Sequence, residues 1–416
     1  MTKTIRVAVP GPFPEPLDYL VPLRMPLPPR GSRVRVPLGR RELVAVVTAA
    51  PTTSNLPSDR LRAIITVLDD EPLLDEETTS LIEWAAHYYH HPPGDAYLAA
   101  LPVRLRQGQP AEPAIESAWA ITAEGRGINP HALERRAPRQ AALLEALQAE
   151  GSLSTARLAG FDGDARGALQ RLVERGLASL TQAPDYGLIV GRGEASNLTL
   201  NEEQVEAARA IQPGPGHEVV LIDGVTGSGK TEVYLDAIAR ALTQGLQTLI
   251  IVPEIGLTPQ LVRRFQQRLS GRIAVLHSGL GDGERLNAWL AARAGEADVI
   301  IGTRSAAFVP LPRPGLIVID EEHDASLKQQ EGFRYSARDL AVLRAHRLDI
   351  PVVLGSATPS LESLENVRRG RYTCCRLRQR AGEARPPVIQ LLDMRGQPTQ
   401  DGLSRPLVEQ IQRHLQ

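Results

Sequence analysis

Two kinds of apolar patterning divide the chain. Beyond residue 217, short and nearly continuous apolar runs alternate with stretches whose apolar residues recur at helical spacing. The runs are 219–222 (VVLI), 248–254 (TLIIVPE), 273–277 (IAVLH), 298–303 (DVIIGT), 316–320 (LIVID) and 351–356 (PVVLGS). β-Branched runs separated by helices predict a parallel sheet covered on both faces. In such sheets, ligands lie at the carboxyl ends of the strands.

The first quarter reads differently. Strand-like runs at 5–9, 32–38, 42–50 and 63–68, broken by Pro- and Gly-rich turns, predict a small β-rich domain over 1–110. A helix from 76 to 89 follows, ending in HYYHHPP. Its His87, His90 and His91 have a metal-like spacing, but Pro92 and Pro93 break the helix there, so they read as ordinary exposed or core histidines. Residues 138–183 carry three helical patterns (AALLEALQAEG, TARLAGF and ALQRLVERGLASL) that predict a winged-helix-like module. Such modules bind DNA in some proteins and only other proteins in others. Residues 111–136 and 185–197 read as linkers. The chain then divides into 1–110, 111–196, 197–370 and 371–416. The fold class expected is multidomain: β-rich, winged-helix-like, and an α/β parallel-sheet P-loop lobe.

Composition adds limits. The only two cysteines, Cys374 and Cys375, are adjacent, which gives neither a disulfide framework nor zinc spacing and fits a reducing cytosol. No apolar run approaches the roughly 20 residues of a membrane span, so no membrane partner is expected. Net charge is −1, yet residues 1–62 carry ten Lys/Arg against four Asp/Glu, whereas 63–110 carry two against eight. A basic region within a neutral protein is a modest nucleic-acid signal. The only lysines are Lys3, Lys230 and Lys328.

Lys230 is where an ammonium is chemically required. The run 219–222 leads through Asp223 into GVTGSGKT (224–231) and then into a helical pattern, the strand–turn–helix of a phosphate-binding loop. Gly224, Gly227 and Gly229 let backbone N–H groups turn inward around a phosphate, with Thr226 and Ser228 between them. Lys230 can reach β/γ oxygens, and Thr231 can hold Mg²⁺. LIVIDEEHD places Asp320 and Glu321 at a strand end, 90 positions beyond Lys230. Asp320 can share the Mg²⁺, and Glu321 can orient and deprotonate an attacking water.

GVTGSGKT, DEEH (320–323) and SAT (356–358) together resemble the first motor lobe of a superfamily 2 helicase. VPEIGLTPQ (252–260), LHSGLGDGERLNAW (276–289), IGTRSAAFVPL (301–311), DEEHDASLKQQEGFRYSARDLAV (320–342) and GSATPSLESL (355–364) narrow this to the bacterial replication-restart helicases. PLDYLVP (16–22), RVRVPLG (33–39) and YYHHPPGD (88–95) fit the same family. The resemblance implies an ATP-driven 3′→5′ DNA helicase, cytoplasmic and nucleoid-associated, acting on stalled or repaired forks. It implies ATP and Mg²⁺ as cofactors. Branched DNA, single-stranded-DNA-binding protein, and other primosome and helicase-loader proteins are the implied partners. Its catalytic set becomes Lys230, Asp320, Glu321 and His323, and Gln204 matches an adenine-reading glutamine. Asp18, Gly39 and Arg62 match a pocket for a 3′ DNA end, with Leu17 where an aromatic is usual. Thr303 and Arg304 are implied backbone contacts. Phe333 and Tyr335 sit in an aromatic-rich loop available to stack on bases, beside Arg334 and Arg338. Ser356 and Thr358 are implied to relay nucleotide state.

Family members carry a zinc-binding cysteine cluster and a second motor lobe with an arginine finger. Both would lie beyond the pattern that ends, still in helical phase, at LVEQIQRHLQ (407–416). A piece of a larger protein is therefore expected, with zinc only in the part not seen. Two other readings compete: a fork-binding assembly scaffold without motor activity, and a P-loop ATPase unrelated to DNA.

Overall fold

The computed structural model describes residues 3–415 apart from 58, 156–157, 159–160, 162, 195–198, 381–388 and 390. It has two compact units, 1–379 and 380–416. The second holds a short antiparallel pair, Thr399–Gln400 with Leu403–Ser404, and the helix Arg405–Leu415.

In the first unit, residues 3–67 form a five-stranded antiparallel sheet in the order Leu17–Val21, Lys3–Ala8, Arg41–Thr52, Arg33–Leu38, Thr66–Val67. One face closes over Ile5, Val7, Tyr19, Val34, Val36, Ala45 and Val47. Three helices follow: Glu76–Tyr88, Pro93–Ala100 and Val103–Arg106. Asp75 caps the first by accepting from Thr78 N, and Pro93 suits the first turn of the second.

Residues 111–136 are more than the expected linker. Ala114–Ile121 pairs with Ala178–Asp185 along its whole length and with Ser152–Ser154, forming a three-stranded sheet over the helices Pro138–Glu150 and Ala165–Glu174. The helical pattern at 155–161 falls partly outside the described residues.

The expected parallel sheet is present. Its order is Thr373–Leu377, Val219–Gly224, Val352–Ser356, Pro314–Ile319, Gln247–Ile251, Val299–Gly302, Arg272–Leu276, with Ile189–Val190 antiparallel at the far edge. Alternate residues serve opposite faces. Ile250, Ile301, Val318 and Val353 join one core, with the helix Lys230–Thr243; Leu249, Ile251, Ile300, Ile319 and Leu354 join the other.

That second core does not stop at the lobe. It runs through Leu286, Trp289 and Leu340 into Leu81, Ile82, Ala85, Tyr97, Leu101 and Leu105 of the N-terminal helices. Inside it Arg344, whose side chain is fully buried, meets the Glu77 carboxylate at 2.8 Å and donates to the Ala307 carbonyl at 3.1 Å. Arg293 donates to the carbonyls of Leu73 and Pro72. The N-terminal helices and the lobe share one hydrophobic core.

Candidate nucleotide and nucleic-acid sites

The phosphate loop leaves the strand Val219–Gly224 and enters the helix Lys230–Thr243 through left-handed residues, Gly227 (φ +80°) and Gly229 (φ +84°). Gly224 is required for a different reason. Its φ is ordinary, but a Cβ there would lie 2.6 Å from Ser228 Oγ. Lys230 Nζ donates to the Gly224 carbonyl at 3.1 Å and sits 3.7 Å from Glu321 Oε1. Thr226 is exposed at the mouth of the loop, whereas the Ser228 hydroxyl is buried with no partner among the described residues. A helix N-terminus entered through left-handed glycine, an ammonium and an unsatisfied hydroxyl suit an anion with several acceptor oxygens.

The acidic motif faces this loop across the sheet edge. Asp320 follows the strand Pro314–Ile319, and Oδ1 accepts from Tyr234 Oη at 3.1 Å. Burial, then the neighbouring Glu321 charge, raises its carboxyl above the usual range. A divalent cation would relieve both, so Asp320 and the Thr231 hydroxyl fit Mg²⁺ by donor chemistry. Bound there, the ion would draw charge from phosphate oxygens.

Glu321 is left-handed (φ +48°), a conformation costing about 1–3 kcal/mol in a residue with a side chain. Its neighbours impose it: Glu322 N donates to the Gly355 carbonyl and Asp324 N to the Glu321 carbonyl. Glu321 Oε2 lies 3.6 Å from His323 Nδ1, which meets Ser356 Oγ at 2.7 Å, and Ser356 Oγ also accepts from Thr358 N. A continuous polar line thus runs from Lys230 to Thr358. Gly355 makes the Tyr234–Asp320 contact feasible, because a Cβ there would fall 1.5 Å from Tyr234 Oη.

Sequence reasoning missed Glu322. Its side chain is buried and accepts from Ser360 N (2.7 Å), Ser360 Oγ, Ser363 Oγ and Arg338 Nη1 (3.1 Å). This network fastens the acidic motif to the helix Leu361–Arg368 and to the start of the helix Ala337–Leu348. Arg338, beside the aromatic loop, is therefore held by Glu322 and Asp339. Tyr234 was also missed, although it lies one helical turn beyond Lys230.

Gln204 is buried and doubly engaged. Its Oε1 accepts from Asn201 N, its backbone N–H is capped by Asn201, and its Nε2 donates to the Ser228 carbonyl at 2.8 Å. It ties the helix Glu202–Ala210 to the phosphate loop.

The aromatic loop differs most from expectation. Phe333 and Tyr335 are 5% and 4% exposed, not available for stacking. Phe333 stacks on His91 and meets Tyr89 edge-on, while Tyr335 meets Phe308 edge-on. Tyr89 Oη accepts from Ser336 N at 3.2 Å. Polar neighbours in sequence suggested exposure; the N-terminal helix, nearly 250 residues away in the chain, supplies the cover. Arg334 is exposed, Thr303 is buried, and Arg304 lies 3.5 Å from Glu254.

At the N-terminal sheet, Arg62 Nη1 donates to the carbonyl of exposed Gly39 at 3.1 Å. A bridge between Leu20 and Ala63 sets that segment beside the strand of Asp18. Asp18 itself pairs with Arg6 at 3.0 Å on the adjacent strand.

The class follows from both regions. Residues 201–367 match the DEAD/DEAH box helicase family, and residues 6–102 match the 3′ DNA-binding domain of PriA. Replication restart protein PriA of Haemophilus influenzae is 41% identical over 421 aligned residues, covering 100% of this chain and 57% of that protein. PriA of Bacillus subtilis is 31% identical, covering 91% of this chain and 56% of the relative. The chain is a homologue of replication restart protein PriA, carrying its 3′ DNA-binding and helicase domains. It spans a little over half the length of these relatives. Among solved structures, RecG bound to a three-way DNA junction aligns over 48% of this chain and 28% of RecG, with 23% identity and a TM-score of 0.34, too slight a likeness to build on.

Glu322 gives this site a direct test. Glu322→Ala would take the buried acceptor from Arg338, the Ser360 amide and the Ser360 and Ser363 hydroxyls, leaving Arg338 with Asp339 alone; each orphaned buried donor costs about 1–3 kcal/mol. Ser363→Ala removes its hydrogen bonds to Glu322 and Ser360, each worth about 1 kcal/mol, and leaves Glu322 its other donors. Thermal melting of both variants should show a clearly larger fall for Glu322→Ala; equal, small falls would mean the network does not brace the motif.

Proposed function

We propose that this chain recognises branched DNA at stalled or repaired replication forks and couples that recognition to a nucleotide-binding motor lobe of a 3′→5′ helicase. The observation that carries the reading is the polar line Lys230–Glu321–His323–Ser356, built at the carboxyl edge of the parallel sheet within the same compact unit as the 3′ DNA-binding domain. ATP would place its phosphates on the amides of 224–231, with Lys230 on the β/γ oxygens. Glu321 would orient the attacking water and accept its proton, and His323 and Ser356 would pass the state of the site to Thr358. Asp18, Gly39 and Arg62 would take the 3′ end: a carboxylate accepts a sugar hydroxyl, and a guanidinium lies beside phosphate. Single-stranded-DNA-binding protein and helicase loaders are the protein partners this role calls for.

A pair of binding measurements separates the two sites. Asp18→Ala should weaken binding to forks ending in a 3′-hydroxyl and abolish the preference over 3′-phosphate ends, while leaving ATP affinity unchanged. Lys230→Ala should abolish ATP binding and leave fork affinity within about twofold. If either folded variant loses both activities, the assignment of separate sites fails.

The described residues contain one lobe of this kind, and phosphoryl transfer in P-loop motors draws charge stabilisation from both sides of a cleft. An arginine finger contributes about 10³–10⁵ in rate in related enzymes. The 416-residue polypeptide should therefore bind ATP weakly and show almost no DNA-stimulated hydrolysis. Robust turnover that Glu321→Gln abolishes would mean that the site is complete without a second lobe.

A further inference from the structure

Under the phosphate loop lies a buried hydroxyl to which the ATP chemistry above gives no role. Tyr234 stands four residues beyond Lys230 in the helix Lys230–Thr243, so both side chains lie on one face of that helix. The residue is 1% exposed and belongs to the core that includes Ile222, Ile250, Val318 and Val353. A phenyl ring would fill the same space. The hydroxyl adds one bond, from Oη to Asp320 Oδ1 at 3.1 Å.

Two neighbouring strands converge on that bond. Asp320 follows the strand Pro314–Ile319, and its N–H is fixed to the Ile251 carbonyl, which anchors its backbone to the sheet. The adjacent strand Val352–Ser356 brings Gly355 against the hydroxyl: a Cβ there would lie 1.5 Å from Oη and 3.4 Å from Asp320 Oδ1. Glycine weakens the interior of a strand, and this strand is paired on both edges, so the exception needs a reason. Room for a single oxygen supplies it. A phenol keeps its proton near neutral pH and a carboxylate only accepts, so Tyr234 is the donor. With its backbone anchored and Oδ1 held, the Asp320 carboxyl keeps one orientation, and no side chain donates to Oδ2 among the described residues.

Carboxylates that ligate metals are themselves held by outer hydrogen bonds, and those bonds set metal affinity. We propose that Tyr234 is a positioning residue for Mg²⁺: its hydroxyl holds the Asp320 carboxyl in the orientation that receives the ion, from its buried place under the loop. The proposal rests on the nucleotide-binding reading above and adds a residue outside the phosphate-loop and acidic motifs. Lys230 and the loop meet phosphate whether or not the ion is present. Tyr234 acts only through Asp320, so its contribution exists only when the ion does.

Binding of a fluorescent, non-hydrolysable ATP analogue to the full chain, in EDTA and across a Mg²⁺ series, separates these roles. Tyr234→Phe should raise the Mg²⁺ concentration needed for half-maximal tightening about tenfold, while affinity in EDTA stays within about twofold of the parent. Asp320→Asn should lose the Mg²⁺ response, and adding Tyr234→Phe to it should change nothing further, because the two act as a unit. Weakening by the same factor in EDTA and in Mg²⁺ would mean that the hydroxyl only supports the packing of the helix. An unchanged Mg²⁺ response would mean that it does not orient Asp320. Either result overturns the proposal and leaves the nucleotide site standing. A Tyr234→Phe chain that fails to fold, with or without Asp320→Asn, would make the hydroxyl a structural group and contradict the proposal as well. A parent chain that does not bind the analogue, or binds it without a Mg²⁺ response, would sink the nucleotide-site reading together with this one.

Discussion

The structure depends on one burial: the apolar side of the helices 76–106 lies in the same core as one face of the motor sheet. Leu81, Ile82, Ala85, Tyr97, Leu101 and Leu105 are each fully or nearly fully buried and belong to the cluster that includes Leu249, Ile300 and Ile319. A Leu or Ile side chain stabilises by about 1.5–3 kcal/mol when fully buried, so Leu81, Ile82, Leu101 and Leu105 alone outweigh any single polar contact. The Arg344–Glu77 pair lies within that seam. Its net worth against an apolar pair is small, but losing one partner is costly, so it enforces one alignment.

That seam explains the aromatic loop. With the N-terminal helix in place, Tyr89 and His91 cover Phe333, and Tyr89 Oη takes the amide of Ser336, which caps the helix Ala337–Leu348. Two residues further, Arg338 enters the Glu322 network that braces the acidic motif. Contacts between N-terminal domain and loop therefore connect, through packed side chains and charged hydrogen bonds, to the residues facing the phosphate loop.

Legibility from sequence followed the range of the interactions. The phosphate loop and the interior strands could be read because their signals are local: glycines at fixed offsets, and apolar runs that stay apolar when both faces are buried. Leu17–Val21 was missed as a strand because five residues between Pro16 and Pro22 carry little periodicity. Thr373–Leu377 was missed because an edge strand carrying Thr373 and Arg376 lacks the interior pattern. Ala114–Ile121 reads as a linker in the sequence because its long partner, Ala178–Asp185, is distant in the chain. Glu322 could not be told from its neighbours in DEEH, since only the fold decides which carboxylate turns inward. Phe333 and Tyr335 sit among polar residues, and nothing local announces Tyr89 and His91.

Hydrogen exchange on the intact chain tests the shared seam most directly. Arg344→Ala leaves Glu77 uncompensated at its centre. If the N-terminal helices and the aromatic loop are held by one core, amide protection should fall together in 76–106 and 329–340, with the N-terminal sheet retaining its protection. Loss of protection confined to the helix carrying residue 344, with 76–106 and 329–336 exchanging as before, would contradict the account.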